Sequence, residues 1–291
     1  MRRSVRLLAF IALAYMPAYL LDLALKAIIE AWGASGLLIQ AVLIARMWIP
    51  GLAALMVARI HGERVVEGVR KWGLRVPGFW GVILAVAAPY VTYGLGAVLS
   101  LLLGFRLVNP VERVLKLMGV KPRAPPLTLL AVQLAASGVM GATLNAAIAL
   151  GEELGWRGFL LNEVEDAGLR RVAAAMLVGA VWGLWHAPLI LLFGYNYPHH
   201  RDAIGVAAFT VFCAIWSVTI SSLKPLGGLY ACAAVHGTLN ALGGSMLLTV
   251  EVEDELLTMP VGFVGLTAGA ITAALIRALA LRLEVSAETQ A

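Results

Sequence analysis

Charge is what this sequence most conspicuously lacks. Of its 291 residues 13% are Asp, Glu, Lys or Arg, against 61% hydrophobic, and the mean hydropathy is +0.87. So little polar surface cannot coat a soluble globule, and the composition reads as a polytopic membrane protein. Cysteine is nearly absent: Cys213 and Cys232 both fall inside apolar runs, where a thiol packs as a small hydrophobe, which excludes a disulfide framework and predicts free, buried thiols. No basic stripe with interleaved aromatics accompanies the net charge of +5. That excludes nucleic acid as a partner and leaves basic loops beside a membrane as the source of the charge. No repeat or low-complexity segment is visible, and the two halves show none of the near-inverted relation that transporters carry.

What the chain does have is long apolar runs. They cover roughly residues 7–29, 37–57, 79–103, 127–148, 172–192, 203–220, 226–248 and 261–281, and predict one all-α membrane domain over 1–291 with about eight transmembrane helices. The opening Met1-Arg2-Arg3-Ser4-Val5-Arg6 followed by an apolar run to Ile29 reads as a signal anchor. Asp22 and Lys26, four apart, are expected to pair toward the bundle, and Pro50-Gly51 to kink the second span. Residues 59–75 read as an interfacial helix. In 106–126, Val111, Val114, Leu115 and Met118 fall on one side of a wheel and Glu112, Arg113 and Lys116 on the other, which predicts a short helix along the membrane surface. The fourth run is expected to continue as one helix to Asp166. Eight spans put both termini on one side, together with Arg2, Arg3, Arg6, the basic residues of 59–75, Arg170, Arg171, Lys224, Arg277 and Arg282; Glu251, Glu253, Asp254 and Glu255 lie opposite. The basic side is expected to be cytoplasmic, a rule that the basic 106–123 stretch breaks.

Three polar clusters interrupt the apolar runs. After a stretch with no charge since Arg123 comes Gly151-Glu152-Glu153-Leu154-Gly155-Trp156-Arg157. An intramembrane acid is costly and marks a functional site. Glu153 and Arg157, four apart, share a helix face and can pair, whereas Glu152 is rotated by about 100° and keeps its carboxylate free. The fifth run holds Trp182-Gly183-Leu184-Trp185-His186, and the seventh His236-Gly237-Thr238-Leu239-Asn240. Counted from the expected cytoplasmic ends, Glu152, His186, His236 and Asn240 all lie about 15–21 Å deep. They can therefore line one cavity. A desolvated carboxylate can take a proton from water, and a neutral imidazole beside it can hold that water. A second imidazole with a carboxamide supplies donors without a strong nucleophile, which suits an oxyanion hole. Together these are the two halves of an amide hydrolysis site.

On these residues the sequence resembles the CPBP (ABI) family of intramembrane glutamic proteases, which includes the type II CAAX prenyl endopeptidases. The pattern is two glutamates with arginine four residues after the second, an aromatic four before a histidine, and a histidine four before asparagine. It reads here as Glu152, Glu153 and Arg157; Trp182 and His186; His236 and Asn240. The aromatic is usually phenylalanine, and Trp182 departs from that. The signature spans 151–240. The resemblance implies a multi-pass enzyme of the plasma membrane, with eight helices around a conical intramembrane cavity open to the cytoplasm. It implies that Glu152 and His186 activate water, His236 and Asn240 hold the oxyanion, and Glu153, Arg157 and Trp182 support them, with no metal or cofactor. The implied substrate is a peptide or lipidated protein among membrane lipids, trimmed of its last three residues where it is prenylated.

Two other readings of the same residues stand beside this one. Glu152, His186 and His236 form a possible zinc set with an open position, although no His-Glu-x-x-His spacing is present. A transporter or non-catalytic partner protein would use the polar cluster as an ion path. Asn145, two turns before Glu152, is a candidate cavity residue, and Trp156, Trp182 and Trp185 read as packing or as the lining of a lipid-sized pocket. His199 and His200 read as part of a solvated loop on the opposite side, with a metal site as the alternative.

Overall fold

The computed structural model describes residues 3–288, so Arg2 of the basic amino-terminal cluster lies outside the described residues. The chain is helical almost throughout: α1 (Arg3–Trp32), α2 (Gly36–Ile60), the short α3 (Val65–Lys71), α4 (Phe79–Leu102), the short α5 (Pro110–Leu117) and α6 (Pro126–Met140). A π-helical turn, Gly141–Asn145, joins α6 to α7 (Ala146–Glu153), and a second, Leu154–Leu160, joins α7 to α8 (Leu161–Glu165). Then come α9 (Arg171–Trp185), α10 (Ala187–Phe193), α11 (Ala203–Thr249) and α12 (Phe263–Glu288). Seven continuous helical stretches among the described residues are long and apolar enough to cross a membrane, with Pro126–Glu165 and Arg171–Phe193 each acting as one. The fold is thus an all-α polytopic membrane protein, as its composition requires.

The sixth stretch counts double. At 47 residues α11 would be about 70 Å long if straight, more than twice an apolar core about 30 Å thick. It breaks at Gly228, whose φ of 61° and ψ of −159° form a backbone conformation open essentially to glycine alone. The carbonyls freed there find partners in the 73–78 linker: Arg75 Nη2 donates to Pro225 O and Gly78 N to Leu226 O, while Leu229 N donates to Gly73 O. Residues 203–227 and 229–249 are therefore separate crossings, and eight spans result, as the apolar runs predict.

Polar contacts sort the loops onto two ends. Arg3 lies beside Glu163 and Asp166, Arg6 between Glu63 and Glu163, Lys224 on Asn162 and Arg171 on Glu284. Arg3, Arg6, Arg171 and Lys224 thus gather with Glu63, Glu163 and Glu284 at the end expected to be basic. At the other end Arg106 pairs with Glu251 at 3.2 Å, and Arg113 donates to Leu248 O and Val250 O. These partners account for the basic stretch that breaks the charge rule: its first arginines fasten the acidic 250–262 loop. One expected ion pair is not made. Asp22 faces α2, where its two oxygens accept from Arg46 Nε at 2.8 and 3.0 Å, and Lys26 pairs with Glu30 instead. Asp22 is wholly buried while Lys26 is 37% exposed, so the acid on the bundle face takes the one buried arginine within reach.

The crossing of α2 over α7 is close because glycines meet there. A Cβ on Gly151 would lie 2.7 Å from Met47 O and from Trp48 Cα, inside contact distance. Gly151→Ala is expected to destabilise the protein by about 1–3 kcal/mol through overpacking, read as a lower thermal midpoint in detergent. Gly36→Ala, where nothing lies within 4 Å, is the neutral control; equal midpoints for the two would show that the helices part freely.

Candidate active site in the membrane interior

The second polar cluster lies where a span breaks. Pro188 near the start of α10 has no N–H to give back to Leu184 O, so the helix ends at Trp185 and restarts at Ala187. The loosened carbonyls are taken from outside: Tyr19 OH donates to Leu184 O at 2.8 Å, and Arg46 Nη2 to Trp185 O at 2.8 Å. His186 sits in the joint, with Nδ1 2.9 Å from Trp182 O. A carbonyl only accepts, so Nδ1 carries the hydrogen and Nε2 is left as an acceptor. The ring is held between Trp185 and Phe209, each with its centroid 4.9 Å away.

The first and third clusters meet through Glu153. Its Oε1 accepts from Arg157 Nη1 at 3.0 Å and from His236 Nδ1 at 2.8 Å. All three residues are at most 4% exposed. The Glu153–Arg157 pair is the one expected from their spacing, whereas the contact with His236 joins α11 to it and orients that ring. Glu152, beside it, does not join the pair. Its Oε2 accepts from Trp182 Nε1 at 2.5 Å and Trp156 Nε1 at 3.3 Å. Trp182 is the hub: the Arg157 guanidinium lies 4.5 Å from its ring centroid, and its ring is 5.0 Å from His236 and 6.0 Å from His186.

These residues wall one cavity of about 600 Å³, lined by Glu152, Trp182, His186, His236 and Asn240, with Asn145 among them. Asn240 is exposed where it borders the cavity, and Asn145 Nδ2 donates to Gly237 O at 3.3 Å, tying the fourth span to the seventh. Trp156 and Trp185 are fully buried packing residues, whereas Trp182 faces the cavity. Arg46 also lines it, which sequence reasoning missed. Its signal was present: an arginine in the middle of an apolar run, matching an aspartate in the preceding one. Arg46 lies 3.6 Å over the Trp185 ring and is neutralised by Asp22. The zinc reading fares worse, because the donor atoms of Glu152, His186 and His236 do not all come within 4.8 Å of one another and Trp182 stands among them.

The cavity extends to Gln40, Tyr195, Asn196, Pro260 and Val261, toward the end that carries the acidic 250–262 loop. The lining thus reaches loops of the acidic end, which lies far from the basic termini.

Residues 133–242, which contain all three motifs, match the family described as Type II CAAX prenyl endopeptidase Rce1-like. The match supports the family that the motifs resemble. No curated protein matches the chain.

Neutralising Glu153 tests the buried charge network. Glu153→Gln leaves Arg157 without a counter-charge in the interior, an imbalance that costs about 3–5 kcal/mol. We expect a large drop in the thermal midpoint in detergent, whereas Glu163→Gln, at the periphery, shifts it slightly.

Proposed function

We propose that this protein is an intramembrane endopeptidase in which Glu152 and His186 activate water and His236 and Asn240 hold the oxyanion. The carrying observation is that these four residues, from three separate stretches of sequence, border one cavity. Glu152 Oε2 is occupied by two indole donors, which leaves Oε1 to take a proton from water, while the acceptor nitrogen of His186 fixes the water's other hydrogen. The hydroxide so formed adds to the peptide carbonyl. His236, whose Nδ1–H is held by Glu153, donates to the oxygen from Nε2 as an imidazolium, and the Asn240 carboxamide donates beside it as the oxygen gains charge. Glu152 then passes its proton to the leaving amine, so that the acid and base are restored. No cofactor or metal takes part in this scheme.

The substrate we infer is the carboxyl-terminal peptide of a prenylated protein, in keeping with the family match. The cavity suits a lipid chain, being walled in part by Leu43, Ile44, Met47, Leu239 and Leu247. We infer that a substrate of this kind enters from the acidic end, whose loop residues Tyr195, Asn196, Pro260 and Val261 line the cavity. We therefore assign that end to the cytoplasm of the cell membrane, against the charge asymmetry.

Glu152→Gln is expected to lower kcat by about 10²–10⁴-fold and Asn240→Ala by about 10²–10³-fold, measured as release of the last three residues from a farnesylated peptide. Equal product from wild type and Glu152→Gln would remove the peptidase reading. Orientation is tested separately, because Cys213 and Cys232 are buried and single added cysteines can be labelled selectively. In intact cells an impermeant maleimide should label Arg64→Cys and spare Glu253→Cys. The reverse pattern would keep the peptidase and replace its prenylated substrate with a peptide from outside the cytoplasm.

A further inference from the structure

A second polar cluster lies at the acidic end, in two loops that the chemistry above does not use. The first, 194–202, ends at Asp202, which caps α11 by accepting from Ile204 N at 2.8 Å. The second, 250–262, crosses it. Tyr197 fastens them, its buried hydroxyl donating to Val261 O at 2.7 Å. Burial pushes that phenol up, so it remains a donor. Next to this contact His199 Nδ1 lies 2.6 Å from Glu255 Oε1, and His200 Nε2 lies 3.0 Å from Asp254 Oδ1.

Two features of the cluster point to a ligand. Donor atoms of His200, Asp254 and Glu255 all lie within 4.8 Å of one another, so two carboxylates and an imidazole face a common point. Glu255 is only 8% exposed, and its Oε2 is wholly buried with no hydrogen-bond partner. A buried carboxylate oxygen without a donor is costly and needs a reason. A cation supplies one. The set contains nitrogen, which favours a transition metal such as zinc over calcium or magnesium, whose sites are built from oxygen. The carboxylates are also oriented as ligands require: Leu256 N donates to Asp254 Oδ1 at 2.8 Å, and His199 holds Glu255.

We propose that His200, Asp254 and Glu255 form a structural site for a divalent transition-metal ion that clasps the two loops. To ligate, His200 carries its proton on Nδ1 and presents the Nε2 lone pair; three protein donors leave a fourth position for water. The same loops supply Tyr195, Asn196, Pro260 and Val261 to the cavity wall. The clasp therefore fixes one wall of the cavity without taking part in the reaction.

The test uses the full-length protein in detergent, stripped with chelator and titrated with Zn²⁺ by calorimetry, with metal content measured by mass spectrometry. One equivalent is expected to bind wild type and Glu152→Gln alike, and at least 10-fold more weakly to His200→Ala and Glu255→Gln. Limited proteolysis of wild type, which does not depend on any variant folding, should show 250–262 protected by Zn²⁺ and released by chelator. Absence of saturable binding, binding unchanged in both loop variants, or loss in Glu152→Gln alone would overturn the proposal. Tighter binding of Ca²⁺ than of Zn²⁺ would overturn the choice of metal.

Discussion

The constraint from which the interior follows is that a carboxylate in an apolar bundle must be matched by a donor or a cation. Glu153 meets it with Arg157 and His236, Glu152 with two indoles, and Asp22 with Arg46. Each match crosses between spans or between turns, so neutralising the charge also orders the helices. Satisfying Glu153 brings the seventh span to the fourth, and satisfying Glu152 brings the fifth. The cavity is the space these pairings leave.

Polar interruptions of helices do the rest of the positioning. Pro188 breaks the fifth span beside His186, and the exposed carbonyls recruit Tyr19 and Arg46. The histidine is thus held by a backbone that regular helix would not have offered. The same device works at Gly228, where the released carbonyls bind the linker between α3 and α4. Backbone groups that cannot be left bare in lipid become attachment points for neighbouring segments.

Much of this was legible in the sequence. Apolar runs gave the eight spans, because the thickness of the bilayer is a fixed ruler. The spacings 153/157, 182/186 and 236/240 placed each pair on one helix face, and the depth estimate brought them to one level. What could not be read were contacts between spans. The partner of Asp22 turned out to be Arg46 rather than Lys26, since four-residue spacing says nothing about which helix packs beside which. The roles of the Arg106 and Arg113 side chains, and the way His200 meets Asp254, depend on loops distant in sequence. Nor does depth along a helix reveal on which side the walls of a cavity open.

The two π-helical turns on either side of α7 mark the places where this span can change length by one residue. A π turn carries a residue beyond what an α-helix would hold, and each residue turns a regular helix by about 100°. Excision of one amino acid from 141–145 would let that turn relax to α geometry with the phase of α7 nearly kept, whereas excision from within α7 would swing the residues beyond it by more than a quarter revolution. Related chains should therefore differ in length between Pro126 and Arg157 only where a π turn is gained or lost, while the 103–125 connection tolerates insertions and deletions throughout.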